Sequence, residues 1–85
     1  MQVSYSKNFL KQYAKLHPKT RLKTDRRLLL WQSNPLHPSL HNHALKGKYK
    51  GYRSIDITGD VRALYLTNDE EVIFDGVGTH SQLYG

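Results

Sequence analysis

Cysteine is absent from the 85-residue chain. That excludes a disulfide framework and every thiolate zinc site, and it suits a reducing compartment. Nowhere do eighteen apolar residues run together, so no membrane-spanning helix is predicted. The opening Met1-Gln2-Val3-Ser4-Tyr5-Ser6-Lys7 has no long apolar stretch behind its charge, so no secretory leader is expected and the chain reads as soluble and cytoplasmic. There is no internal repeat and no low-complexity segment. Acidic residues are scarce: 7 Asp+Glu stand against 13 Lys+Arg, a formal net charge of +6. Such an imbalance favours a polyanion or an acidic protein as partner. At this length the chain has room for one core and is expected to be a single domain over residues 1–85.

The apolar pattern gives an order of elements. Gln2 to Tyr5 is predicted as a short strand, after which Ser6 can cap a helix carrying Phe9, Tyr13 and Leu16 on one stripe and Lys7, Lys11 and Lys15 on another. His17-Pro18 ends that helix, because the residue before proline avoids the helical region, and Pro18 opens a second helix to about Ser33. Leu22 and Leu29 are expected to mark its buried side, and Lys19, Lys23, Arg26 and Arg27 to form a basic face. Asn34 to Ser39, with two prolines, is a loop. Beyond it Ala44-Leu45, Tyr52 to Ile57, Val61 to Thr67 and Val72 to Val77 are separated by turn-forming residues, as in an antiparallel meander. The expected fold is therefore α+β: a short N-terminal strand and a two-helix hairpin packed on an antiparallel sheet of three to four strands, with the other sheet face left available.

Polar groups interrupt the sheet at its turns: His43 where it begins, Asp56 and Asp60 about the first tight turn, and His80 after the last strand. In a meander these ends can meet at one rim, with Arg62 on the same face as Asp60. Two imidazoles, two carboxylates and a guanidinium suit cleavage of RNA by its own 2′-hydroxyl. One group removes that proton, another protonates the departing 5′-oxygen, and a cation steadies the phosphorane. Acid–base groups can do this without a metal or cofactor, and none is expected. Tyr84 could stack on a base or bond a phosphate. His80 is the hardest of these to set aside, whereas four others also have a plainer interpretation. His43 could be a surface histidine, Asp60 a turn residue, Asp56 an ion-pair partner and Tyr84 a packing ring. His37, His41 and His43 suggest a metal tract, but they lack a helical i, i+4 pair and have no carboxylate or cysteine close in sequence to complete a shell.

His43-Ala44-Leu45-Lys46-Gly47, Gly51-Tyr52-Arg53-Ser54-Ile55-Asp56-Ile57, Asp60-Val61-Arg62-Ala63-Leu64-Tyr65 and the closing Gly78-Thr79-His80-Ser81-Gln82-Leu83-Tyr84-Gly85 follow one another in an order that resembles the YafQ branch of the RelE-like toxins. The resemblance implies a ribosome-dependent mRNA interferase of a type II toxin–antitoxin system, with a cognate antitoxin, the ribosome and mRNA as partners and no membrane. It also implies active-site positions at His43, Asp60 and His80. Two residues depart from that branch: Asp56 stands where a histidine is usual, and Tyr84 where phenylalanine is. Arg62 is a feature of the RelE branch, which uses an arginine in this strand against phosphate charge. On this resemblance His80 and Asp60 form the main acid–base pair, His43 assists, and Arg62 with Lys46 or Arg53 holds the phosphate. Lys46, Lys48, Lys50 and Arg53 would follow the mRNA, and Lys19, Lys23, Arg26 and Arg27 the rRNA. The alternatives are a non-catalytic ribosome- or RNA-binding domain of the same fold, which Asp56 keeps open, and a pure protein-interaction module.

Overall fold

A computed structural model describes residues 2–85. Its elements are β1 (Gln2–Tyr5), α1 (Lys7–Ala14), α2 (Pro18–Ser33), β2 (His43–Ala44), β3 (Tyr52–Asp56), β4 (Val61–Thr67), β5 (Glu71–Thr79) and α3 (His80–Tyr84). The strands form one mixed sheet in the order β1-β5-β4-β3-β2. Its last four strands are the expected antiparallel meander, and β1 adds a fifth strand, parallel to β5, with Val3 opposite Val72 and Tyr5 opposite Phe74.

Local chemistry sets the helix boundaries. Ser6 accepts a bond from the Phe9 amide and starts α1. His17 caps α2 by accepting from the Lys19 amide through Nδ1, while Pro18 fills the first turn, where its missing N–H costs nothing. The buried stripe of α2 is Thr24, Leu28 and Trp31, spaced i, i+4 and i+7. Leu22 and Leu29, expected on the buried side, are instead 51% and 65% exposed, because the stripe of Leu28 and Trp31 that is buried lies about 140° away around the helix. The core gathers on Phe74 of β5, whose ring lies 5.0 Å from Trp31, 5.1 Å from Tyr65 and 6.1 Å from Phe9. Full burial of one such ring stabilises the fold by roughly 1.5–3 kcal/mol.

Beyond Phe74 the ladder skips a residue: Tyr65 pairs with Phe74 but Leu64 with Gly76, leaving Asp75 as the extra residue of a bulge. Past β1, the edge of β5 has no strand beside it, and α1 supplies the bonds instead. Asn8 Nδ2 donates to the Asp75 carbonyl at 2.7 Å, and Gln12 Oε1 accepts from the Val77 amide at 2.9 Å. Those two side chains do for the edge what a strand would do.

The second sheet face, expected to be left available, is partly covered. α3 turns back over β5, with Leu83 against Gly76 and Gln82 against Gly78. A Cβ at Gly78 would lie 2.8 Å from Gln82 Oε1, and one at Gly76 would lie 3.1 Å from Leu83 Cδ2, so glycine at both positions lets the helix approach. Leu64, opposite Gly76, is buried on this face, outside the main core cluster.

Candidate active site at the sheet rim

Strand register gathers the polar residues. His43 pairs with Ser54, two residues before Asp56; Asp56 pairs with Arg62; and Arg62 pairs with Gly78, two residues before His80. Directly opposed residues share a face, so His43, Asp56 and Arg62 project from the α3 side of the sheet at one rim. Asp60, in the β3–β4 turn, lies beside Val61, whose partner Thr79 caps α3.

The turn is closed by Thr58, whose Oγ1 accepts from the Asp60 and Val61 amides at 3.2 and 3.0 Å. The Asp60 carboxylate itself is exposed and has no hydrogen-bond partner among the described residues. Arg62 is held tightly. Its Nη1 donates to the Thr58 and Gly59 carbonyls at 3.2 and 3.1 Å, and its Nε pairs with Asp56 Oδ1 at 3.0 Å. The other oxygen of Asp56 receives His41 Nδ1 at 2.7 Å. Asp56 is thus the link between an imidazole and the guanidinium. The ion pair costs about 0–1 kcal/mol less than no pair where water reaches it, so its chief effect is on geometry.

His43 Nδ1 lies 2.8 Å from the His41 carbonyl. A carbonyl only accepts, so Nδ1 carries the proton, and Nε2 of the neutral ring keeps its lone pair toward solvent. His80 is the first residue of α3, exposed, with its ring 4.7 Å from that of Tyr84 one turn on. Thr79 and Gln82 form a full capping box around it: Thr79 Oγ1 accepts from the Gln82 amide, and Gln82 Oε1 accepts from the Thr79 amide. Tyr49 closes the wall, meeting the Tyr84 ring edge-on at 4.9 Å and donating to the Leu83 carbonyl at 3.2 Å. Burial, then the neighbouring Tyr49 hydroxyl, hold the Tyr84 phenol above its ordinary pKa, while Arg62 pulls the other way.

No hydrogen bond joins His80, Asp60 and His43 to one another among the described residues, so the expected His80–Asp60 pair shares a rim without direct contact. Arg53, expected beside Arg62, is on the opposite face, because it is one residue off the parity of Ser54 and Asp56. There its Nε donates to Asn42 Oδ1 at 2.7 Å, and Asn42 Nδ2 donates to Tyr65 Oη at 2.7 Å and to the Pro35 carbonyl at 2.9 Å. Lys46, Lys48 and Lys50 are exposed around Tyr49, with Lys48 Nζ 5.8 Å from its ring centre. On α2, Lys19, Lys23 and Arg26 face solvent. Arg27 does not lie free with them. Its Nη1 donates to Ser39 Oγ at 2.9 Å and pins the loop to the helix. The three histidines of the metal tract point to separate partners, His37 to Ser39, His41 to Asp56 and His43 to the main chain. Among the described residues no group of three His, Asp or Glu side chains could hold a metal ion. Tyr49 is a rim residue that sequence reasoning missed, and His41, singled out only for a metal tract, is instead bonded to Asp56. Apolar periodicity carries no signal for a left-handed histidine, and Tyr49 sits in a single 3-10 turn (Gly47–Tyr49).

A two-helix hairpin on one face of a mixed sheet, with a short helix and a polar rim on the other, defines the RelE-like fold. The family described as "Bacterial toxin of type II toxin-antitoxin system, YafQ" matches residues 1–85, and the chain belongs to that family. The mRNA interferase toxin YafQ of Escherichia coli (strain K12) is 34% identical over 58 residues, which span 68% of this chain and 63% of that relative. The crystal structure of YafQ from E. coli strain BL21(DE3) superposes with a TM-score of 0.83 at 29% identity, covering 99% of this chain and 98% of that one. YafQ in the E. coli DinJ–YafQ complex superposes with a TM-score of 0.73 at 28% identity, covering 99% and 98%.

Proposed function

We propose that this single domain is the toxin of a type II toxin–antitoxin pair, an endoribonuclease that cuts mRNA in the ribosomal A site. The reaction leaves a 2′,3′-cyclic phosphate. The observation that carries the proposal is the rim itself, where His43, Asp60 and His80 stand unbonded to one another at the strand ends that hold Arg62, with the Tyr84 ring against His80. His43 Nε2, His80 and the Asp60 carboxylate are the groups free to exchange protons, each worth roughly 10²–10⁴ in rate when positioned. His80 and Asp60 are the main pair and His43 assists. Arg62, with the lysines at 46, 48 and 50, supplies positive charge for the phosphate. Asp56 does not touch the phosphate; it holds Arg62. Kinship to proteins named mRNA interferase toxins supports the activity, and the DinJ–YafQ complex supports a cognate antitoxin as partner. Ribosomes and message place the action in the cytoplasm, and Lys19, Lys23 and Arg26 are the residues offered to rRNA.

Mapping cleavage ends on a translated mRNA tests this. Wild type is expected to cut within codons presented in the A site, and Asp60→Ala and His80→Ala to lower kcat at least about a hundredfold. Equal cutting by His80→Ala sinks the mechanism.

A second possibility is a non-catalytic ribosome-binding domain. The observation favouring it is that, among the described residues, the Arg62 side chain is bonded only to Asp56, Thr58 and Gly59. Co-sedimentation with ribosomes without cleaved message, and toxicity indifferent to Asp60 and His80, would establish it.

A further inference from the structure

We propose that His41 is a positioning residue of this rim, acting on two of its working groups at once: on Arg62 through its side chain and on His43 through its main chain. The proposal rests on the endoribonuclease reading above, to which it adds a residue. His41 is the one described non-glycine residue with positive φ, at +46°. That left-handed conformation is uncommon for an L residue, histidine being among those that adopt it more readily, and its strain is offset by contacts. Two bonds compensate. The ring donates through Nδ1 to Asp56 Oδ2 at 2.7 Å, and Asp56 Oδ1 meets Arg62 Nε at 3.0 Å. The carbonyl of the same residue accepts from His43 Nδ1 at 2.8 Å.

The consequences differ at the two ends. At the His43 end, the carbonyl fixes the tautomer that exposes a basic Nε2 and fixes the ring plane. At the Arg62 end, His41 holds Asp56 by the oxygen that Arg62 does not use, so the carboxylate cannot rotate away from Nε. The guanidinium is then aimed by Asp56 on one edge and the Thr58 and Gly59 carbonyls on another. The turn that follows the Pro38–Leu40 3-10 segment places His41 there; His41 is its C-cap, with its amide donating to the Pro38 carbonyl at 3.2 Å. The histidine is 72% exposed, so packing does not account for it.

Three variants of the full chain separate the two arms. Glycine adopts the left-handed conformation freely, so His41→Gly keeps the main chain and removes the ring. His41→Asn tolerates the same conformation and can donate an amide N–H to Asp56. His41→Val resists the conformation and disturbs the carbonyl as well. For His41→Gly the expected result is about tenfold lower kcat on translating ribosomes with KM within about twofold. The Arg62 Nε–H should exchange with solvent at least about fivefold faster by nitrogen-15 NMR, and His43 should remain in its Nδ1–H tautomer. His41→Asn should recover most of both losses, and His41→Val should scramble the His43 tautomer. Adding Asp56→Asn to His41→Gly should lower kcat little further, because both act through one link. The proposal is overturned if His41→Gly cleaves like wild type, if the double variant is fully additive, or if Arg62 exchange is unchanged. Should wild type itself cut no message, the endoribonuclease reading fails, while Arg62 exchange and the His43 tautomer still decide whether His41 positions them.

Discussion

Tyr84 stands between the Tyr49 edge and the His80 ring, and its phenol is held above the ordinary value of 10.0 chiefly by burial. The raised value favours the neutral phenol, a hydrogen-bond donor and a stacking surface. Tyr84→Phe is expected to keep kcat within about threefold, and Tyr84→Ala to lose at least about tenfold, in the same cleavage assay. Tyr52 makes a related prediction for stability. Burial first, and then its 3.0 Å bond to Asp75 Oδ2, raise the Tyr52 pKa above 10.0. A raised folded-state value means that the folded protein keeps the proton longer than the unfolded chain does. The stabilisation is complete below the unfolded value and is lost as pH climbs through the folded one. Chemical denaturation between pH 8 and about 11 should show stability falling at the alkaline end, less steeply in Tyr52→Phe than in wild type. His41 and Tyr49 were not legible at this scale. What defines them is a backbone angle and a neighbour in space, and neither leaves a period or a motif.

At the scale of elements the sequence was most informative where one residue decides a boundary. Ser6, the His17-Pro18 junction and the turn formers before Val61 each stop or start an element by local chemistry, and the structure follows them. It was least informative about which face of α2 is buried. Leu22 and Leu29 share an apolar spacing with the true stripe, and only the presence of Phe74 and Tyr65 selects Leu28 and Trp31. Leu22→Lys and Leu29→Lys should therefore change stability by less than about 0.5 kcal/mol, against 3–5 kcal/mol, approximately, for Trp31→Ala, as thermal unfolding would measure. The segment Gly78 to Gly85 carries the candidate site residues His80 and Tyr84 and is also a built element. Its capping box, the Leu83 contact with Gly76 and the Tyr49 bond to the Leu83 carbonyl tie it down. Deleting Leu83 to Gly85 removes the contact of Leu83 with Gly76 and should lower the melting temperature as well as cleavage. Gly78→Ala should do the same more mildly, by pushing Gln82 off the Thr79 amide, at a cost of about 1 kcal/mol.

Over the whole molecule the basic residues behind the net charge of +6 are spread over α1 and its C-cap (Lys7, Lys11 and Lys15), α2 and the sheet rim. Lys19, Lys23 and Arg26 are exposed on α2, and each is expected to reduce the salt slope of ribosome binding by roughly one when replaced by alanine, with cleavage chemistry spared. Arg27→Ala should leave that slope alone and loosen the Pro38–Leu40 segment instead, because its guanidinium is already spent on Ser39. Among the described residues no helix is long and apolar enough to cross a membrane. The parallel pairing of β1 with β5 has a consequence for the order of assembly. β1 leads the described chain and β5 is its last strand, yet they are neighbours in the sheet, and the ring at the centre of the core belongs to β5. While the chain grows, α1 and α2 emerge with nothing to close upon. The core of a nascent chain thus stays open until Phe74 has been added and freed, and folding follows the synthesis of β5 rather than that of the helices.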